Sequence, residues 1–165
     1  MLVGEKSKFA IEWKLRLVSD NKKHFYFRLW TQDKIIGDFE DDIMDSIVCG
    51  YILKFLKNEE ERYSFDFKGM SKNSIYETVY TAFFRDDNKK HDIAEKLSKK
   101  QLDLRSVFHL NDIGGTSFDR FNIICCKVSD RQVLIWKDLA TNEVNETYLP
   151  LGYIEGVMVE FIKKC

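Results

Sequence analysis

The chain has 165 residues and a mass of 19.6 kDa, with 44% hydrophobic and 32% charged residues, the balance of a folded globular protein rather than a disordered one. A chain of this length buries about 70% of its unfolded surface, enough for a core without disulfide or metal staples. The formal net charge of −1 gives no overall field to draw in nucleic acid or a membrane, so recognition by charge has to come from local segregation.

The first element is an alternation. Phe9, Ile11, Trp13, Leu15 and Leu17 interleave with Lys8, Glu12, Lys14 and Arg16, and only Ala10 blurs the pattern. A period of two places the apolar set on one face of a half-buried antiparallel strand. Phe25 to Trp30 reads as a second strand and Lys34 to Phe39 as a third, connected by the polar turn Thr31-Gln32-Asp33. The three are expected to form one antiparallel meander, with Phe9, Ile11, Trp13 and Leu15 facing the core.

Ile43, Ile47, Val48, Tyr51, Ile52, Phe55 and Leu56 then recur at helical spacing, with Asp41 or Asp42 as the cap and Asp45 in the first turn, where an acid complements the helix dipole. After the acidic knot Glu59-Glu60-Glu61, the alternation Tyr63-Ser64-Phe65-Asp66-Phe67 predicts a short strand before Gly69. Ser71 or Asn73 opens a second helix through Ile75, Tyr76, Val79, Tyr80, Ala82, Phe83 and Phe84. A break at Arg85 to Lys89 precedes a solvated helix over Lys90 to Leu102. Arg105 to Leu110 reads as extended, and Asn111 to Thr116 as a loop. Phe121 to Val128 is almost continuously apolar, which predicts a central strand covered on both faces. Ser129-Asp130 turns the chain into Val133 to Lys137, and Asn142 to Leu149 returns as a further strand that Pro150 stops. Gly152 to Lys163 closes the chain as an amphipathic helix. Strands, helices, strands and a helix in that order argue for an α+β fold, a largely antiparallel sheet with helices packed on it, in a single domain over 1–165. One proline and the lack of linker, repeat or low-complexity tract speak against a second domain.

Gly4, Phe9, Glu12, Trp13, Trp30 and Gly37 stand out within Ser7-Lys8-Phe9-Ala10-Ile11-Glu12-Trp13, Leu29-Trp30 and Ile35-Ile36-Gly37-Asp38. This combination resembles the opening of a family of bacterial immunity proteins that neutralise polymorphic or contact-dependent growth-inhibition toxins. The resemblance covers roughly the first quarter of the chain in its residues and the rest in element order. The sequence departs from the family pattern at Asp33-Lys34, where an Asn-Gly type turn would set the hairpin register, and no glycine introduces the second strand. The resemblance implies a non-catalytic protein that binds a cognate toxin C-terminal domain, nucleases being among the toxin classes, and blocks its active site or substrate surface.

Catalytic and metal chemistry find little support in the residues. His24, His91 and His109 are scattered, and a small hydrolase or nuclease using His and carboxylate groups is the alternative reading. Cys49, Cys125, Cys126 and Cys165 show neither CxxC spacing nor a His pair for zinc, and the adjacent Cys125 and Cys126 would point to opposite faces of a strand, so all four read as reduced packing residues. Gly114-Gly115-Thr116 lacks the GxxxxGK[ST] frame of a phosphate loop, and Asp38, Glu40 and Asp42 lack the spacing of a calcium loop. No cofactor, metal or catalytic residue is expected. A peptide- or RNA-binding module is a third reading, in which RNA binding is disfavoured because no basic stripe is interleaved with exposed aromatics. No signal sequence and no apolar run near the 18 residues of a membrane span are apparent, which predicts a cytoplasmic protein without direct nucleic-acid or membrane contact.

Charge is nevertheless segregated. Asp38, Glu40, Asp41, Asp42 and Asp45 fall within eight residues that contain no base. Together with the resemblance, this makes them the predicted partner-binding residues, an acidic patch that steers association with a basic toxin surface. The basic stretch Lys89 to Lys100 and the loop Asp112 to Ser117 are the next faces to consider.

Overall fold

The computed structural model of the chain describes residues 1–17, 23–63, 65–84 and 107–165. The first sheet contains β1 (Leu2–Glu5), β2 (Phe9–Leu17), β3 (Lys23–Thr31), β4 (Lys34–Ile36) and β5 (Asp42–Met44). It runs as a meander β1-β2-β3-β4, and β5 returns to pair with β3, every pairing being antiparallel. A second sheet of β6 (Phe121–Val128), β7 (Arg131–Asp138) and β8 (Glu143–Pro150) is also antiparallel. Four α-helices complete the described residues: α1 (Asp45–Lys57), α2 (Glu59–Tyr63), α3 (Lys72–Phe84) and α4 (Tyr153–Lys164). The fold is α+β, built on two sheets where the sequence suggests one.

The opening alternation becomes β2, and register pairs Ile11 with Leu29, Trp13 with Phe27 and Leu15 with Phe25. Phe9, Ile11, Trp13, Phe25, Phe27 and Leu29 are buried as the period of two requires. Leu15 is the exception at 40% exposure, because it lies toward the strand end beyond the edge-on contact between Trp13 and Phe161 of α4, centroids 4.8 Å apart. The strand β1 is not announced by any alternation, since only Val3 of its four residues is buried. Gly4 makes this pairing sterically feasible. It adopts φ +84° opposite Ala10, and a Cβ there would lie 2.3 Å from the Phe9 carbonyl oxygen.

The turn between β3 and β4 supplies the conformation of an Asn-Gly hairpin from other residues. Gln32 and Asp33 both take positive φ, 51° and 59°, as a primed turn demands. Long-range bonds hold it: Asp33 N donates to the Lys6 carbonyl at 2.9 Å, and the Gln32 amide donates to the Glu146 carbonyl of β8 at 2.9 Å.

Several boundaries differ from the periodicity. The third strand stops at Ile36 rather than Phe39, where Gly37 turns out of line with φ +81°. Residues 42–44 are strand, so neither Asp41 nor Asp42 caps α1, which begins at Asp45 behind Met44 with no side-chain cap. The acidic knot forms the first turn of α2, and the strand predicted at Tyr63 to Phe67 reduces to a single parallel bridge, Asp66 to Lys127. Ser71 does open α3, its hydroxyl accepting from Ser74 N at 3.2 Å. The break at Arg85 to Lys89 and the helix predicted over Lys90 to Leu102 lie outside the described residues. Of the stretch predicted as extended up to Leu110, the described residues begin at Val107, and among these His109 makes a bridge to Ile124. The loop predicted after it is wound into two 3₁₀ turns, Asn111–Ile113 and Thr116–Arg120.

The apolar run of β6 is covered on both faces, but β7 is the central strand. Ile123, Cys125, Leu134 and Trp136 join the larger core, shared with the first sheet, α1 and α4. Ile124, Cys126, Val133 and Ile135 join a second core with Ile75, Tyr76 and Val79 of α3. The edge of β6 takes main-chain bonds from either side, Cys125 N to the Phe108 carbonyl at 2.8 Å and Phe67 N to the Lys127 carbonyl at 3.0 Å, so an outer strand reads in sequence like an inner one.

Candidate functional site

The acidic segment is displayed by a bulge in an edge strand. Leu29 pairs with Ile36 and Tyr26 with Asp42, so residues 37–41 stand opposite only Phe27 and Arg28 and must loop outward. Phe118, in the second 3₁₀ turn, fixes that loop. Its ring occupies the space a Cβ would need at both Gly37 and Gly114, at 2.2 and 2.0 Å. Phe118 also lies 5.9 Å from Phe27 between centroids, tying the loop to the larger core.

The five predicted acids are brought to this region in different states. Asp38 accepts from the backbone N–H of Glu40 at 2.8 Å and of Asp41 at 3.4 Å, closing a local turn. Asp41 accepts from Thr116 Oγ1 at 2.6 Å and Ser117 N at 2.5 Å, capping the second 3₁₀ turn across 75 residues of sequence. Asp42 accepts from Arg16 Nη1 at 2.6 Å and faces His24 Nδ1 at 3.3 Å. Asp45 accepts from Ser46 N at 2.6 Å, and Glu40 is exposed. Asp41 and Asp42 are therefore engaged in holding the loop, whereas Asp38 and Glu40 are exposed and Asp45 is half-buried at the start of α1.

Beside this bulge lies a groove of ≈ 470 Å³ between α1 and the 3₁₀ segment, with Ile47 and Tyr51 on one wall and Asp112, Thr116 and Asp119 among the residues of the other. Helical periodicity assigned Ile47 and Tyr51 to the buried stripe of α1. They are 36% and 37% exposed, because Val48, Ile52 and Phe55 form the inward face and leave these two at its margin. Gly50 between them, an exposed glycine inside a helix, is a sequence signal for the notch that adjoins the groove.

A second polar cluster is largely internal. Arg62, 0% exposed, donates from Nη1 to the carbonyls of Phe55 and Val107 at 3.0 and 2.9 Å, and from Nη2 to Glu155 Oε1 at 2.7 Å. Tyr63 donates to the same carboxylate at 2.7 Å, and Gln132 Nε2 donates to its other oxygen at 2.7 Å. Burial opposes the charge of Arg62, and the Glu155 carboxylate against it offsets that, holding its pKa above the ordinary value. Burial, with Cys125 and Glu155 beside it, raises Tyr63. The Cys125 thiol is pushed up to about 12, chiefly by burial. Neutral thiol and phenol and a hydrogen-bonded carboxylate, with Tyr63 alone of the group partly exposed, make this a structural clamp.

The remaining chemistry resolves similarly. His109 is 95% buried beside β6, His24 belongs to the Arg16–Asp42 ion pair, and His91 lies outside the described residues. Burial also raises the Cys49 thiol, away from nucleophilic character. Cys49, Cys125, Cys126 and Cys165 are all free thiols. Among the described residues no group of three or more His, Cys, Asp or Glu could hold a metal ion, and no helix is long and apolar enough to cross a membrane.

Comparison with known proteins points one way. The sequence model of the family Immunity protein 42 (Imm42) matches residues 1–164. Among solved structures, the crystal structure of CdiI from Burkholderia dolosa AUO158 superposes with a TM-score of 0.71, covering 100% of both chains at 14% identity, so the fold is what the two share. A search of curated protein sequences finds no match.

Proposed function

The chain belongs to the Immunity protein 42 family, and from that membership we propose that it binds one cognate toxin domain in the cytoplasm and neutralises it by covering the active site or substrate surface. It is an immunity protein and not an enzyme, and its activity is the formation of an inhibitory complex. The observation that carries this reading is the match over residues 1–164, and the likeness in fold to CdiI supports it along the whole chain. The toxin we infer is the C-terminal domain of a larger secreted protein, with a basic surface of the kind nucleases carry. Residues 1–165 act as one domain in this reading, supported by a single core cluster that draws on both sheets.

Asp38, Glu40, Asp41, Asp42 and Asp45 form the steering patch, Glu40 and Asp45 by direct approach and the other three by holding the bulge in shape. Exposed carboxylates attract a basic partner over about 8–10 Å at physiological salt and contribute little to folding. The test is binding kinetics of the Glu40→Lys/Asp45→Lys variant against the toxin domain encoded beside this chain. Association is expected to slow by about tenfold at low salt and to lose much of its salt dependence, with the thermal midpoint unchanged and protection of toxin-expressing cells reduced. Unchanged association and full protection would place the interface on another face.

A further inference from the structure

Helix α1 carries a glycine that the fold does not call for. Gly50 lies in the middle of the helix, is exposed, and a Cβ built on it meets nothing within 4 Å. Alanine there would strengthen the helix, since glycine leaves more freedom in the unfolded chain and has poor helix propensity. The missing side chain opens a notch lined by Ser46, Ile47, Gly50, Tyr51 and Lys54, which shares Ile47 and Tyr51 with the larger groove. Those two side chains are exposed on the wall the notch and groove share; Asp112 and Asp119 are the charged residues of the groove and Lys54 is that of the notch, so a cation is drawn to the groove end.

An aromatic and an aliphatic side chain in one groove with two carboxylates suit one side chain above others. Arginine can lay its stem along Ile47, stack its planar guanidinium on Tyr51 and direct its N–H groups at Asp112 or Asp119. We propose that the notch over Gly50 and the adjoining groove receive an arginine-bearing segment of the toxin, with Gly50 kept bare so that this segment can approach the α1 backbone. The proposal rests on the reading of the chain as a toxin-binding immunity protein and adds the place and chemistry of a contact outside the acidic bulge.

Calorimetric titration of the toxin domain encoded beside this chain tests it, with thermal melts of each variant. Gly50→Gln should melt at or above the wild-type temperature yet bind at least about tenfold more weakly, because its side chain fills the notch. Gly50→Ala should raise the melting temperature at least as much as Gln, because alanine is the better helix former, and weaken binding by less, because its side chain fills little of the notch. Asp112→Asn/Asp119→Asn should weaken binding and flatten its salt dependence. Gly156→Gln, the same change at the exposed glycine of α4 whose Cβ also meets nothing, is the control and should bind as wild type. Wild-type affinity in Gly50→Gln, or an equal loss in Gly156→Gln, overturns the groove as the contact. A wild-type protein that binds no toxin overturns the underlying functional reading instead, and the proposal with it.

Discussion

Trp13 shows how much one side chain contributes when alternation and tertiary cover agree. Its ring is fully buried and meets Phe161 edge-on, with Phe161 in turn 5.9 Å from Phe25 and 5.7 Å from Phe27. Trp13→Ala is expected to cost about 3–5 kcal/mol, visible as a large drop in the denaturant midpoint. A midpoint equal to that of the wild type would mean the ring does not hold the core. Its neighbour Glu12 works on the opposite face, accepting from Arg28 Nε at 3.0 Å and Trp30 Nε1 at 2.6 Å, with Lys6 at 3.7 Å. Partial burial acts to raise the Glu12 pKa, and the bonds from Arg28 and Trp30 outweigh it, leaving it below the ordinary 4.5. A depressed carboxylate adds stability that is present above the unfolded value near 4.5 and disappears as pH falls through the folded value. Glu12→Gln should therefore lose about 1 kcal/mol at neutral pH, and the difference from wild type should shrink below about pH 4.5 in acid melts.

At the level of elements, the Arg62 clamp adds polar bonds between pieces that also meet in the larger core. It reaches the end of α1 through Phe55, the chain entering the first 3₁₀ turn through Val107, and α4 through Glu155, while Gln132 draws in β7 and accepts from Ile154 N at 3.0 Å. Removing the guanidinium strands a buried carboxylate, so Arg62→Met should destabilise by about 3–5 kcal/mol. Adding Glu155→Gln to that variant should recover part of the loss, a result that equilibrium unfolding of the two variants would display directly. No recovery would mean the packing of the arginine stem, and not its charge, matters. The bulge between β4 and β5 is the other composite element. Gly37→Ala would have to place a Cβ against the Phe118 ring from a left-handed backbone, and should detach the acidic loop at a cost of about 1–3 kcal/mol.

For the whole molecule, the second sheet is the shared wall of two cores, and β7 lies at its centre. The larger core joins that sheet to the first one, so neither can open without exposing the other. One cooperative transition is expected, with tryptophan fluorescence and far-UV circular dichroism coincident, and the amides of β7 should be among the slowest to exchange. Two separated transitions would mean that the sheets fold as independent units. The same architecture leaves α1's outer margin, the bulge and the 3₁₀ segment on one side, where an acidic loop and a largely polar groove adjoin through Thr116.

Local pattern by itself determined β2, β3, the three strands of the second sheet and α4, because side-chain period along a strand or helix is set within a few residues of chain. Glu12, Trp13, Trp30 and Gly37 also carried the family likeness, and the structure gives them physical roles in an outer-face bond, a core ring and a ring-packed glycine. Tertiary structure alone decided which apolar residues of α1 face outward, that β1 and β5 exist, and that Arg62 lies inside beside an acidic knot that reads as surface. It also decided that Asp41 and Asp42 are already engaged. These facts depend on contacts such as Arg62 to Glu155, 93 residues apart, and Asp41 to Thr116, 75 apart, and no periodicity of a single segment encodes which distant partner will lie against it.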